Sequence, residues 1–155
     1  VRIIEVQTPE HYAAARELFV EYAAQLGHDL CFQDFAAELA DLPGTYAPPA
    51  SAVLLAEEAG AWLGCVALRS RGPDICEMKR LYVRPALRRT GLGRRLAQAI
   101  IERARQAGYA RMRLDTLGSM TIARTLYESL GFRVVPAYYD NPIAGVVFYE
   151  LQIGE

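Results

Sequence analysis

Long hydrophobic runs are missing from this 155-residue chain. No apolar window reaches about eighteen residues, so the sequence predicts no membrane span. No basic stretch followed by an apolar segment opens the chain, and no secretory signal is read there. Cysteine is scarce: Cys31, Cys65 and Cys76 are an odd set without metal-ligand spacing. That argues against a disulfide scaffold or a metal centre and predicts a reduced, cytoplasmic protein with buried thiols. The two histidines, His11 and His28, make no readable pair with a cysteine. Repeats, low-complexity tracts and charged tails are absent. With 52% hydrophobic residues the chain can bury a core, so disorder is excluded and residues 1–155 are expected to form one domain.

Charge is nearly balanced at −1 overall but unevenly spread. Residues 1–74 carry −7 and residues 75–155 carry +6. Two readings fit: an anionic ligand near the basic half, or two halves that pair across a shared surface. Nucleic-acid binding is not expected. The basic residues gather around one helix start instead of lining a face with interleaved aromatics, and the isoelectric point is near neutral.

Arg2–Gln7 alternates as a first strand. Thr8-Pro9-Glu10 then reads as a cap, a first-turn proline and an acidic first turn, opening a helix to about Leu26 with Gly27 beyond it. Ala14, Leu18, Tyr22 and Leu26 form its apolar stripe. A shorter helix is predicted from Gln33 to Ala40, ending before Pro43-Gly44, and Tyr46 to Ser51 is a loop. Val53–Glu57 and Trp62–Arg69 flank a hairpin turn at Glu58-Ala59-Gly60-Ala61. After the turn Arg71-Gly72-Pro73-Asp74, Ile75–Val83 is a third strand. Leu92, Leu96, Ile100 and Ala104 mark a helix ending near Gly108, and Arg111–Thr116 is a short strand. Ser119 or Thr121 caps a helix bearing Ala123, Leu126, Tyr127 and Leu130, with Gly131 just past its end. Phe132–Val135 and Val146–Leu151 are the last strands. The natural packing is a single mixed, mostly antiparallel α/β sheet of about six to seven strands with helices on both faces.

One stretch carries chemistry. Leu81-Tyr82-Val83-Arg84-Pro85-Ala86-Leu87-Arg88-Arg89-Thr90-Gly91-Leu92-Gly93-Arg94 takes a strand into a basic loop and two glycines that open a helix. Helix N-termini offer unpaired N–H groups and a positive dipole end. Glycine admits close approach to the backbone, and arginines add bidentate donors. Together these suit a pyrophosphate. The Walker pattern is absent, and the dinucleotide fingerprint would need a third glycine after a first strand.

Arg88-x-x-Gly91-x-Gly93, followed by Ala123-x-x-Leu126-Tyr127-x-x-x-Gly131-Phe132, resembles the two motifs of the GNAT superfamily of N-acetyltransferases, and the likeness covers nearly the whole chain. The resemblance implies transfer of an acetyl group from acetyl-CoA, as co-substrate and without a metal, to a primary amine on a small molecule or peptide. It implies that the amides of Arg88, Arg89, Thr90, Gly91, Leu92, Gly93 and Arg94 hold the pyrophosphate. The backbone of Leu81 and Val83 would pair with the pantetheine arm, and the thioester would lie where the strands Ile75–Val83 and Arg111–Thr116 splay apart. Many members carry asparagine where this chain has Met120, so that side-chain bond to pantetheine is absent. Arg124 is a further contact implied for the 3′-phosphate or adenine side.

By the same resemblance Tyr127 is the acid that protonates the leaving thiolate; as a helical aromatic on an apolar stripe it is equally a core residue. Glu77 is the general base, directly or through water, six residues before Val83 and on the same strand face by period two. Its alternative is a charge partner for an arginine on the neighbouring strand. Without a readable cysteine–histidine pair, direct transfer in a ternary complex is expected rather than a thiol intermediate. The acceptor groove is expected around Gly27–Phe35, with His28, Asp29, Phe32 and Asp34, and around Pro136–Ile143, with Tyr138, Tyr139, Asp140 and Asn141. That second loop is alternatively a fixed surface connection or a contact in a homodimer. A coenzyme A-binding regulatory module without catalysis is the competing function.

Overall fold

The computed structural model describes residues 1–27 and 34–154. One sheet contains β1 (Arg2–Glu5), β2 (Ala52–Glu58), β3 (Ala61–Ser70), β4 (Ile75–Val83), β5 (Arg111–Leu117), β6 (Arg133–Val135) and β7 (Val146–Gln152), ordered β1-β2-β3-β4-β5-β7-β6. Among the described strands only the β4–β5 pair is parallel. This is the mixed, mostly antiparallel sheet that the sequence predicts.

Among the described residues five α-helices pack on its two sides: α1 (Pro9–Leu26), α2 (Phe35–Ala40), α3 (Leu42–Thr45), α4 (Leu92–Gln106) and α5 (Thr121–Ser129). Period two divides the central strands between two cores. On one face Val53, Leu55, Cys65 and Ala67 meet Ala14, Ala15, Leu18 and Phe19 of α1. On the other, Leu54, Val66 and Met78 meet Leu92, Leu96 and Ile100 of α4, with Tyr127 of α5 in the same core. Strands covered on both faces read as almost unbroken apolar runs, which is how β2 and β3 stand in the sequence.

Local chemistry sets the ends. Thr8 Oγ1 accepts from the His11 amide at 3.2 Å, and Gly27 closes α1 at φ 73°. Both central residues of the β2–β3 turn are left-handed, Ala59 at φ 51° and Gly60 at φ 81°, the combination that matches strand twist. Some boundaries differ from expectation. β1 stops at Glu5, although Val6 still donates to the Val53 carbonyl at 2.9 Å. Pro43 and Gly44, expected beyond the helices, lie within α3 because Asp41 caps it, accepting from the Gly44 amide at 3.0 Å. Proline is tolerated there since first-turn amides have no helical acceptor. Neither Ser119 nor Thr121 caps α5; Met120 holds that position without a side-chain bond. Among the described residues, no helix is long and apolar enough to cross a membrane.

The feature that positions the site is a bulge in β4. Cys65 pairs with Tyr82 and Ala67 with Lys79, so two steps on β3 face three on β4. Arg80 takes the extra place at φ 59°. Side-chain parity slips there. Cys76 and Met78 before the bulge, and Leu81 and Val83 after it, all face the α4 core. Glu77 therefore lies on the opposite face from Val83, which corrects the period-two reading.

Candidate active site

The bulge residue is tied down by charge. Arg80 donates to Glu38 of α2 from Nε at 3.0 Å and from its terminal nitrogen at 2.7 Å, and Tyr46 donates to the same carboxylate at 3.0 Å. Both partners of the ion pair are buried, at 4% and 2% exposure. Burial alone would raise the Glu38 pKa; the Arg80 bonds overcome it and hold the carboxyl below its usual range. The Arg80 guanidinium also lies 5.1 Å from the Phe35 ring centroid and 5.8 Å from that of Tyr22. α2 is thus anchored to the bent segment of β4.

Beyond that bend the sheet opens. β4 and β5 pair only at Ile75↔Arg111, Cys76↔Met112 and Glu77↔Arg113. Where they diverge, a cleft of about 110 Å³ is lined by Met78, Leu114, Ala123 and Tyr127 from the α4–α5 side and by Tyr22, Lys79 and Asp115 from the α1 side. It runs through the sheet. Leu81, Met120, Asn141 and Ile143 also border it. Met120 thus lines the cleft, and its side chain offers sulfur, which accepts only weakly from Thr116 Oγ1 at 3.8 Å.

Tyr127 is 8% exposed and packs edge-on to Phe132 at 5.8 Å between ring centroids. Its hydroxyl has no hydrogen-bond partner among the described residues. Burial raises its pKa, so the phenol stays protonated. The core reading and the catalytic reading are compatible: the ring belongs to the core and the side chain borders the cleft.

The loop after β4 has unusual backbone. A 3₁₀ turn over Pro85–Leu87 is followed by Arg89 at φ 64° and Gly91 at φ 85°. Among the described residues, the amides from Arg89 to Arg94 have no acceptor; the flanking Arg88 and Arg95 amides bond to Pro85 and Gly91 carbonyls. Alternating left-handed residues ahead of a helix turn such amides to one side, which makes an anion nest at the positive end of α4. Open space surrounds the Gly91 Cα on the Cβ side, so its glycine answers to the positive φ and not to crowding within the chain. Leu92 anchors the first turn in the core while its amide stays unpaired. The side chains are less free than the amides. Arg88 donates to the Val83 carbonyl at 3.3 Å and to Gln25, and Arg94 donates to Ser129 at 2.7 Å. Thr90 Oγ1 donates to the Leu87 carbonyl at 2.5 Å. Arg124 bonds to Tyr149 at 3.0 Å and to the Gly118 carbonyl at 3.1 Å, joining α5 to β7 and the loop after β5. The donor set fits a diphosphate: unpaired amides, a helix terminus and arginine charge.

Glu77 is 3% exposed, accepts from Arg71, and lies 3.5 Å from the Tyr138 hydroxyl. An arginine does neutralise it, from the turn rather than from its register partner Arg69. It lines a second, larger cleft of about 460 Å³ on the α1 side, with Lys79 common to both clefts. Sequence reasoning passed over Asp115, which borders the first cleft and accepts from Tyr139 and, at 3.1 Å, from Asn141. Its one signal was that it is the lone acid in β5. Those bonds staple the Pro136–Ile143 loop to β5, while Tyr138 and Tyr139 pack edge-on to Phe148 at 5.0 and 5.4 Å. His28, Asp29 and Phe32 of the expected acceptor groove, and Cys31, lie outside the described residues. Among the described residues no acidic, histidine or cysteine cluster could hold a metal.

Residues 10–132 match the family described as Acetyltransferase (GNAT) family. An uncharacterized N-acetyltransferase of Schizosaccharomyces pombe is 41% identical, covering 100% of this chain and 96% of its own length. An uncharacterized N-acetyltransferase of Dictyostelium discoideum is 27% identical over 99% of each chain. Among solved structures, an acetyltransferase from Streptococcus agalactiae has a TM-score of 0.80 at 21% identity over 97% of both chains. An acetyltransferase from Salmonella typhimurium, solved with acetyl-CoA, has a TM-score of 0.72 at 23% identity over 99% of this chain and 94% of its own. The structural neighbours share the fold; the family match and the fungal relative establish kinship, and the chain belongs to the GNAT family as an acetyl-CoA-dependent acyltransferase.

Proposed function

We propose that this protein transfers an acetyl group from acetyl-CoA to a primary amine by direct attack in a ternary complex. The observation that carries the reading is the cleft through the sheet, with the Tyr127 phenol on one side and the Asp115 carboxylate on the other. The unpaired amides between Arg89 and Arg94, with the preceding Arg88, hold the diphosphate, and the β4 backbone at Leu81 and Val83 takes the pantetheine arm as an added strand. β4 has no β5 partner beyond Glu77, which leaves that edge open to such pairing.

The thioester supplies an electrophilic carbonyl carbon and a thiolate leaving group. Lining both sides of the opening, the chain holds amine and thioester together, which removes much of the entropic barrier. Glu77 takes the proton that the amine loses, through water. Its reach to the first cleft is past Lys79, the residue common to both clefts. Tyr127 gives its phenolic proton to sulfur as the carbon–sulfur bond breaks, and burial keeps that proton in place until then. Among the described residues a thiol intermediate is disfavoured, because burial pushes the Cys76 thiol up to about 12 and raises that of Cys65 as well. Those free, buried thiols also support a reduced, cytoplasmic setting.

The test is release of free thiol from acetyl-CoA across an amine panel. Amine-dependent release supports transfer. Tight coenzyme A binding without release would leave a regulatory module instead.

A further inference from the structure

The second cleft is set apart by its charge. Its lining brings Arg69 and Arg71, Lys79 of β4 and Arg113 of β5 around Asp34, Glu77, Tyr138 and Tyr139. Four cations face two carboxylates among the described lining residues. Arg71 is consumed by Glu77. Arg69 forms no hydrogen bond or ion pair with any described residue, and it is half-buried in the strand register opposite Glu77. Arg113 is held in place from behind: Nε donates to Glu150 at 2.9 Å, and the guanidinium lies 5.1 Å from the Tyr138 ring centroid. Its terminal nitrogens have no acceptor among the described residues. Two guanidiniums with open donors thus border a cleft of about 460 Å³, beside the slot where acetyl transfer is proposed. Guanidinium groups with free terminal nitrogens are shaped for a carboxylate, which they bind bidentately.

Resting on the transferase reading, we infer that the amine acceptor carries a carboxylate, bound by Arg69 and Arg113 while its amine reaches past Lys79 into the slot between β4 and β5. The acceptor class is a free amino acid or a similarly small amino carboxylate. Of the acids in the negatively charged first half, residues 1–74, Asp34 alone lines this cleft among the described residues.

The test compares acids with twins that lack the carboxylate as acceptors: β-alanine with β-alaninamide, glycine with glycinamide, and 4-aminobutyrate with its amide, alongside spermidine as a polycationic amine. Initial rates of thiol release give kcat/KM for each. The expected result is a preference of at least about 10-fold for the acid within the twins. Arg69→Gln and Arg113→Gln should shrink that preference by raising KM for the acid alone. Arg69→Lys should restore part of it, and coenzyme A affinity, measured by calorimetry, should stay unchanged in all three. Equal or better use of the amides overturns the inference, as does a preference for spermidine. So does failure of every amino acid with an enzyme that binds coenzyme A, or an equal loss on both twins in the variants. If coenzyme A itself does not bind, the transferase reading fails first and is recognised as such.

Discussion

Tyr127 sits in the core and is also the proposed acid, two roles that its place on an apolar helical stripe sets against each other. Its ring fills the core between Phe132 and Tyr149, while the side chain borders the cleft and the hydroxyl has no protein partner among the described residues. Tyr127→Phe keeps the packing and removes only the proton. We expect kcat to fall by about 10-fold or more with melting temperature and coenzyme A affinity little changed; an unchanged kcat would retire it as the acid. Lys79 is the chain's one lysine, and burial lowers its pKa from 10.5 to about 8, with Arg80 pushing the same way and Glu77, Asp115 and Glu38 opposing. Between pH 8 and 10.5 the unfolded chain holds this proton and the folded chain does not, so this group makes folding more favourable as pH rises. Its contribution is read as a difference: the stability of the wild type relative to Lys79→Met should increase from pH 8 to pH 10 in urea titrations. A flat or falling difference would mean that Lys79 keeps its charge in the fold.

Among the elements, β4 matters most, and it was the least legible. The hydrophobic periods predicted its span, the glycine pair predicted the start of α4, and Thr8 and Pro9 predicted the start of α1. These are local signals, written in side-chain alternation, capping groups and backbone freedom. The bulge is different. Its cause is a long-range ion pair between Arg80 and Glu38, 42 positions apart in the chain, and nothing near Arg80 announces it. One misread parity put Glu77 on the wrong face. Asp115 was missed for the same reason, since its partners Tyr139 and Asn141 come from a distant loop. Glu38→Ala removes the carboxylate that pins the bulge and leaves the Arg80 charge in a dry site. We expect a loss of about 3 kcal/mol in denaturant titrations; a loss under about 1 kcal/mol would show that other contacts hold the bend. At the β2–β3 turn, Ala59 at φ 51° carries a steric cost that glycine escapes. Ala59→Gly should therefore stabilise the hairpin by about 0.5 kcal/mol, net of glycine's greater unfolded freedom.

At the scale of the molecule, the ion pairs bear out one reading of the uneven charge, pairing between the halves. The halves do pair: Arg84 reaches Glu17 at 3.0 Å and Glu21 at 2.7 Å, and Arg103 reaches Glu5 at 2.8 Å. The arginines around the start of α4 nonetheless surround a backbone that lacks acceptors. The sheet then organises function by side: helix α4 and Tyr127 on one face, the arginine-lined cleft on the other, and the β4–β5 opening between them. The account stands or falls on the peptide amides ahead of α4 gripping a diphosphate. Calorimetry with acetyl-CoA and with S-acetylpantetheine, which has the same thioester and arm but neither the diphosphate nor the nucleotide, measures the hold on that end, and Gly91→Val assigns it to the amides. The account predicts acetyl-CoA binding at least about 100-fold tighter, and a loss of about 2–4 kcal/mol for acetyl-CoA alone in Gly91→Val, where the left-handed backbone is forced to change. Equal affinity for the two thioesters, or no heat from acetyl-CoA, would contradict it.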